Sequence, residues 1–240
     1  MKDMPEMFHM KSIARVENSF KSKFGIPRQS SMAKSVVSRI VFEREYRDIN
    51  AFAGIEEFSH LWIIWAFSEN LGKEWSPTVR PPVLGGNERK GVFATRSPFR
   101  PNPIGISSVK LEKFAAEADG PVLYVSGADI MDGTPVLDIK PYIPYADIHA
   151  DAYGSFAEAA KKEKLRVEIL DEAAKKLTEE EKKEITEVLS LDPRPAYHND
   201  PERVYGFTYA DHEIKFKADG KTLRVISADQ AMAERVEPVV

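Results

Sequence analysis

Two arginines in a proline-rich loop are the residues of this chain best suited to chemistry. Residues 91–105 read Gly-Val-Phe-Ala-Thr-Arg-Ser-Pro-Phe-Arg-Pro-Asn-Pro-Ile-Gly, with Arg96 and Arg100 set among prolines at 98, 101 and 103. A guanidinium presents a planar fork of donors that pairs with a carboxylate or a phosphate. Each proline fixes φ and removes an N–H, so the backbone after Ser97 is stiff and cannot be helical. A stiff loop loses little freedom when a ligand binds. Arg96 and Arg100 therefore suit an anion. The alternative is a structural loop with surface arginines, in which Arg100 makes a bracing salt bridge.

A second chemical stretch holds Asp129 and Asp132 on either side of Ile130 and Met131. Carboxylates so spaced accept hydrogen bonds from hydroxyls, amines or an ammonium, and either could take up a proton. Their plainer use is turn chemistry, since Asp bonds readily to its own backbone. Ser68 and Glu69 follow the most apolar stretch, Phe58–Phe67, at a strand end of the kind where ligands often sit.

Other chemistries find no support. The five histidines show no metal-ligand spacing, and His60, at the head of the apolar stretch, reads as a core histidine. Ser97 and Ser107 lack a nucleophile-elbow context, and no phosphate-binding glycine loop is present. There are no cysteines, which excludes disulfides and thiolate catalysis. The N-terminal residues lack the apolar core of a signal peptide, and no apolar run approaches the roughly 20 residues of a membrane span. These features point to a soluble cytoplasmic protein. The net charge of −4 disfavours general nucleic-acid coating, but the charge is uneven. From Arg80 to Lys113 seven basic residues face two acidic ones, a local basic face suited to a selective RNA contact.

The elements that must position these groups are mainly β. Phe8–Val16, Val36–Phe42, Phe58–Phe67, residues 91–96, 104–114, Val122–Ala128 and Val136–Lys140 read as short strands separated by turn signals. The first is only loosely periodic, and Phe58–Phe67 reads as a buried central strand. Many short strands favour a β-barrel or sandwich over a doubly wound sheet. The chain of 240 residues divides into a barrel domain at 8–150, a linker at 151–164 and a small α+β domain at 165–232. In the last, Thr178-Glu179-Glu180-Glu181 reads as a capping box leading a charged helix, and a small meander follows.

Four blocks resemble the TsaA/TrmO-like family of S-adenosylmethionine-dependent tRNA adenine-37 N6-methyltransferases. They are Phe24–Gln29, Phe58–Ile64, the arginine loop and Asp129–Tyr142, in that family's order. Leu191–Tyr197 resembles the extra C-terminal domain of bacterial members. The resemblance implies a β-barrel and S-adenosylmethionine as cofactor. It implies cofactor contacts by Pro27, Arg28, Gln29, Ser68, Glu69, Arg96, Ile106, Asp129, Ile130, Met131 and Asp132. Members commonly carry a histidine with a polar partner where Ser68 and Glu69 stand here. The implied substrate is the anticodon stem-loop of a tRNA whose adenosine 37 already bears threonylcarbamoyl on N6. On the RNA side the candidates are Arg80, Arg89, Lys90, Arg100, Asn102 and Lys140. A homodimer with its site near the subunit interface is also implied. Because the four blocks all lie before residue 147, the C-terminal domain is expected to support RNA binding or dimer geometry and to hold no chemistry, and the histidine spacing gives no metal site.

Overall fold

The computed structural model describes residues 7–159, 163–194 and 200–231. Six antiparallel strands close a barrel in the order β1-β2-β7-β6-β3-β8. They are β1 (Ala14–Glu17), β2 (Val37–Phe42), β3 (His60–Ala66), β6 (Ile104–Glu117), β7 (Gly120–Ser126) and β8 (Pro135–Pro141). Between β3 and β6 lies a two-stranded ribbon of β4 (Thr78–Val79) and β5 (Lys90–Gly91). Side chains alternate across each barrel strand, as a period of two requires. In β3, Leu61, Ile63 and Trp65 enter the core while Trp62 and Ile64 face outward, half-buried. β3 is thus not buried on both faces. Its outer apolar residues are partly covered instead, since Trp62 lies against Tyr142 and donates to Asp147 Oδ2 at 2.9 Å.

Two sequence expectations change. The first strand begins at Ala14, because Phe8 and Met10 have no buried face to join and lie exposed. Residues 92–94 form a single 3-10 turn rather than a strand, with Val92 buried beneath it. The long connection 71–90 carries β4 and a 3-10 turn at Pro82–Leu84.

Two short helices follow the barrel, α1 (Pro144–Asp147) and α2 (Phe156–Ala159), the second within the segment read as a linker. Beyond them β9 (Arg166–Ile169), α3 (Asp171–Ala174), α4 (Glu179–Ser190), β10 (Tyr205–Tyr209), β11 (His212–Asp219) and β12 (Thr222–Gln230) complete the chain. They form a sheet ordered β10-β11-β12-β9, in which β9 runs parallel to β12. The capping box opens α4: Thr178 Oγ1 accepts from the Glu181 N–H at 3.2 Å, and Glu181 Oε2 accepts from the Thr178 N–H at 2.8 Å. Of the block 191–197, residues 195–197 lie outside the described residues.

The connection from β1 to β2, residues 18–36, belongs to both halves. Its Phe20, Ala33 and Val36 are buried in the same core as Phe207, Tyr209, Ile214 and Phe216 of the C-terminal sheet. Phe24 stacks on Phe216 at 6.3 Å, and Ala210 N–H donates to Ser19 O at 2.9 Å. Glu187 of α4 accepts from the Ser35 N–H at 2.7 Å.

Candidate active site

A pocket of about 650 Å³ opens where the end of β3, the start of β6 and the loop after β7 meet. The segment 18–36 and the arginine loop supply its remaining walls. Pro27, Arg28, Gln29, Ser68, Glu69, Arg96, Ile106, Asp129 and Met131 all line it, as does Arg100. Residues from five separate stretches of chain therefore converge on one cavity.

The floor is a hydrogen-bonded chain. Trp65 Nε1–H donates to Ser107 Oγ at 3.0 Å, and Ser107 Oγ–H donates to Asp129 Oδ1 at 2.5 Å. Ser107 is fully buried. Burial pushes the Asp129 carboxyl above its ordinary value, opposed by the Ser107 hydrogen bond and by the charge of Arg96. The Trp65 ring fills the space beside Gly105 where a Cβ would stand, and its centroid lies 4.3 Å from that of Phe67. Arg96 Nη1 donates to Gln29 Oε1, which ties the arginine loop to segment 18–36. Arg28 Nη2 donates to Arg194 O at 2.9 Å, and Lys23 pairs with Glu69 across the opening. Five cations, Lys23, Arg28, Lys73, Arg96 and Arg100, thus share the lining with the carboxylates of Glu69 and Asp129. The cavity favours an anionic group.

Two expected cofactor residues lie elsewhere. Ile130 is fully buried in the barrel core, so its side chain serves packing, while its carbonyl accepts from Asn18 Nδ2 at 2.9 Å. Asp132 accepts from the Asn18 N–H at 2.9 Å and pairs with Lys21 at 2.8 Å, in a separate hollow beside Glu17 and Arg39. It ties the loop after β7 to segment 18–36 and is not a local turn residue, and Asp129 alone of the two carboxylates faces the pocket.

The basic candidates divide in the same way. Arg100 donates to Thr95 O at 2.9 Å and lies over the Phe93 ring at 5.9 Å, so a carbonyl and a ring brace it rather than a salt bridge. Arg80 and Asn102 are exposed on either side of the ribbon and loop. Arg89 donates to Thr78 Oγ1 at 2.7 Å, and Lys90 pairs with Glu88 at 2.5 Å. Lys140 pairs with Asp138 at 2.9 Å and sits in register with Trp62. At about 3.4 Å per residue, that is roughly 14 Å along β3 from Ala66, toward the far end of the barrel. His60 is half-buried rather than a core residue, with Nδ1 2.9 Å from Ser59 Oγ.

Sequence reasoning missed Trp65, Phe67, Phe99, Lys23 and Lys73. Trp65 and Phe67 are indistinguishable from core residues in an apolar run, whereas Phe99 stands exposed within the arginine loop. Only the register that sets Trp65 opposite Gly105 reveals the wall. Among the described residues no group of His, Cys, Asp and Glu is arranged to hold a metal, and no helix is long and apolar enough to cross a membrane.

The N-terminal domain model of tRNA-methyltransferase O matches residues 15–148, and the TrmO C-terminal domain model matches residues 162–231. The chain is 44% identical over 209 residues to the tRNA (adenine(37)-N6)-methyltransferase of Escherichia coli, covering 85% of this chain and 88% of that one. It is 40% identical over 210 residues to the RcsF protein of Pseudomonas aeruginosa, named as a candidate S-adenosylmethionine-dependent methyltransferase, covering 84% of this chain and 89% of that one. A crystal structure of TrmO from Pseudomonas aeruginosa superposes with a TM-score of 0.75 at 32% identity, covering 92% of this chain and 98% of that one. With both domain models matched in order and a relative of similar length on the same barrel, this chain belongs to the tRNA-methyltransferase O family.

Proposed function

We propose that this protein methylates N6 of adenosine 37 in tRNA, using S-adenosylmethionine, on an adenosine that already carries an N6-threonylcarbamoyl group. The observation that carries this reading is the convergence of Arg96, Glu69, Asp129 and the Trp65–Phe67 pair on one cavity. Its volume of about 650 Å³ lies within the range of small-molecule sites. The residues fit the cofactor. Arg96, with Arg28 and Lys73 nearby in the lining, suits a carboxylate. Glu69 suits ribose hydroxyls, and the aromatic pair offers a flat face to adenine.

When bound, S-adenosylmethionine supplies a methyl group on a sulfonium, open to attack by a nitrogen lone pair. The protein's own contribution is alignment and the fate of one proton. Asp129 accepts the N6 proton. Its raised pKa makes it a stronger base than a solvated carboxylate. The cations not spent on Glu69 and Asp129 meet the negative charge of the RNA. Arg80, Arg89, Lys90, Arg100, Asn102 and Lys140 are the proposed contacts, with Arg100 closest to the cavity. An adenosine in a single-stranded loop can be splayed out to reach such a pocket. The protein acts in the cytoplasm as a homodimer, a reading supported by the exposed Leu71, Ile104 and Ile106 near the opening.

The test is incubation with methyl-labelled S-adenosylmethionine and two tRNA pools, one carrying the threonylcarbamoyl group and one lacking it. Label should enter only the first. Cofactor binding with no labelled RNA would instead identify a cofactor-sensing module. Labelled small molecules with unlabelled tRNA would identify a different acceptor.

Two arginine variants separate the ligands. Arg96→Lys keeps the charge and loses the planar fork. Charge-assisted hydrogen bonds contribute about 1.5–3 kcal/mol, so cofactor affinity by calorimetry should fall roughly tenfold to hundredfold. Arg100→Ala should weaken tRNA binding and flatten its salt dependence by about one phosphate contact. If Arg96→Lys binds cofactor normally and loses tRNA affinity, the assignment of the two arginines is reversed.

A further inference from the structure

We propose that Ser107 is a positioning residue that joins the aromatic wall of the pocket to its carboxylate, so that Trp65 and Asp129 respond as one unit. The proposal rests on the reading of Asp129 as the proton acceptor and adds to it the group that sets its state. Trp65 Nε1, Ser107 Oγ and Asp129 Oδ1 form an unbroken line of hydrogen bonds, at 3.0 Å and 2.5 Å. The direction of the line is fixed at one end. An indole N–H can only donate. Ser107 Oγ must therefore accept from Trp65, which leaves its own proton to be donated onward. The next atom along, Asp129 Oδ1, must accept that proton, and it does so best when the carboxylate is ionised.

The line thus favours ionised Asp129 where burial disfavours it. Both tendencies are present at this carboxyl: burial raises its pKa, and the Ser107 hydrogen bond lowers it. The other groups acting on it are few. The arginine loop contributes the charge of Arg96, and segment 18–36 contributes a backbone hydrogen bond at Ser30. Lys23, Arg28, Glu69, Lys73 and Arg100 share the pocket. Ser107 itself is fully buried, so water does not replace its hydroxyl if it is removed. Protonation of Asp129 weakens the acceptor, because a neutral carboxyl keeps its carbonyl oxygen but loses its charge. The Ser107 hydroxyl is then held less firmly, and the hydrogen bond that its oxygen accepts from the Trp65 N–H weakens with it. The hold on the ring beside Gly105 therefore loosens as the base is neutralised.

The molecule carries its own control. It has three tryptophans, and a second one, Trp62, donates its Nε1–H to Asp147 Oδ2 at 2.9 Å on the outside of the barrel. Asp147 titrates below its ordinary value, held down by the Ile143 N–H and by Trp62. The indole N–H resonances of the ligand-free, full-length protein can be followed by NMR from pH 3 to 9. In the wild type, the Trp65 signal should move with the Asp129 midpoint, and Trp62 should move at lower pH. In Ser107→Ala the Asp129 midpoint, followed by its carboxyl carbon, should rise, and the Trp65 signal should stop following it. Trp62 should be unchanged. Asp129→Asn should abolish the Trp65 step while keeping the shape of the side chain. Trp65→Phe frees the Ser107 hydroxyl from its fixed direction and should raise the Asp129 midpoint by less than Ser107→Ala does; it serves if Ser107→Ala folds poorly, and an unshifted midpoint there would equally overturn the proposal.

In turnover, the acid limb of the kcat profile should move to higher pH in Ser107→Ala, with KM for tRNA little changed. A Trp65 signal that tracks Asp129 equally well without the Ser107 hydroxyl would overturn the proposal, as would an unshifted Asp129 midpoint. Failure of the wild type to methylate tRNA would remove the assignment of Asp129 as base but leave the titration result standing.

Discussion

Adding one methyl group at Gly105 should close the pocket to cofactor. A Cβ there would stand 2.5 Å from Trp65 Cζ2 and 2.7 Å from Cδ2, with Cε2 nearer still. Gly105 lies opposite Trp65 in the β3–β6 ladder, so the backbone cannot retreat without breaking the barrel. The ring must move instead. Its way out leads toward the cavity, and the move breaks the bond from Trp65 Nε1 to Ser107. Overpacking of this kind costs about 1–3 kcal/mol. For a chain of this size each kcal/mol lowers the melting temperature by about 2–4 °C. Gly105→Ala should therefore melt several degrees lower and bind S-adenosylmethionine more than tenfold more weakly by calorimetry. Wild-type affinity in the variant would show that the Trp65 ring is not part of the binding wall.

A comparable loss should follow from a residue that touches no ligand. Gly25 sits at φ +99°, and a Cβ on it would stand 2.6 Å from Phe207 Cδ2 in the C-terminal sheet. Gly25→Ala should lift segment 18–36 from that sheet and carry Pro27, Arg28 and Gln29 out of the pocket wall. The backbone strain alone, about 1–2 kcal/mol, can be measured separately. Gly220 has φ +55° in the β11–β12 turn and open space around its missing Cβ. Gly220→Ala should lower the melting temperature and leave cofactor affinity intact, whereas Gly25→Ala should lose both. Equal cofactor affinity in the two variants would mean that the segment holds its shape without the sheet. The same packing bears on the C-terminal domain as a whole. The sequence suggests a tail without chemistry, but the tail holds three of the pocket residues in place.

The barrel was legible because its strands alternate and its turns carry Gly, Pro and Asp. The capping box of α4 was legible because it is a local device, complete within four residues. The arginine loop was visible for the same reason. What stayed hidden depends on partners far away in sequence. Asp129 and Asp132 are the same residue type three apart, yet one faces the cavity and the other is bound by Asn18 and Lys21, more than a hundred residues earlier. Ser107 lacks any motif of a nucleophile, and none was needed, since its work is to join two neighbours that only barrel closure brings together. Trp65 reads as core in any window, because its special feature is the glycine across the ladder.

The dual packing of segment 18–36 also sets an order of events during synthesis. Ser35 and Glu187 are 152 residues apart in sequence, and Arg28 and the carbonyl of Arg194 are 166 apart. Contacts of such range form late, after the loops between them have closed. The barrel strands are all made by residue 141, so the barrel can assemble while the rest of the chain is still being translated. The cofactor wall cannot, because Phe20 and Phe24 have no surface to rest on until β10 and β11 have emerged from the ribosome. A nascent or prematurely terminated chain is therefore a barrel with an open side, and competence arrives only with the last strands of the polypeptide.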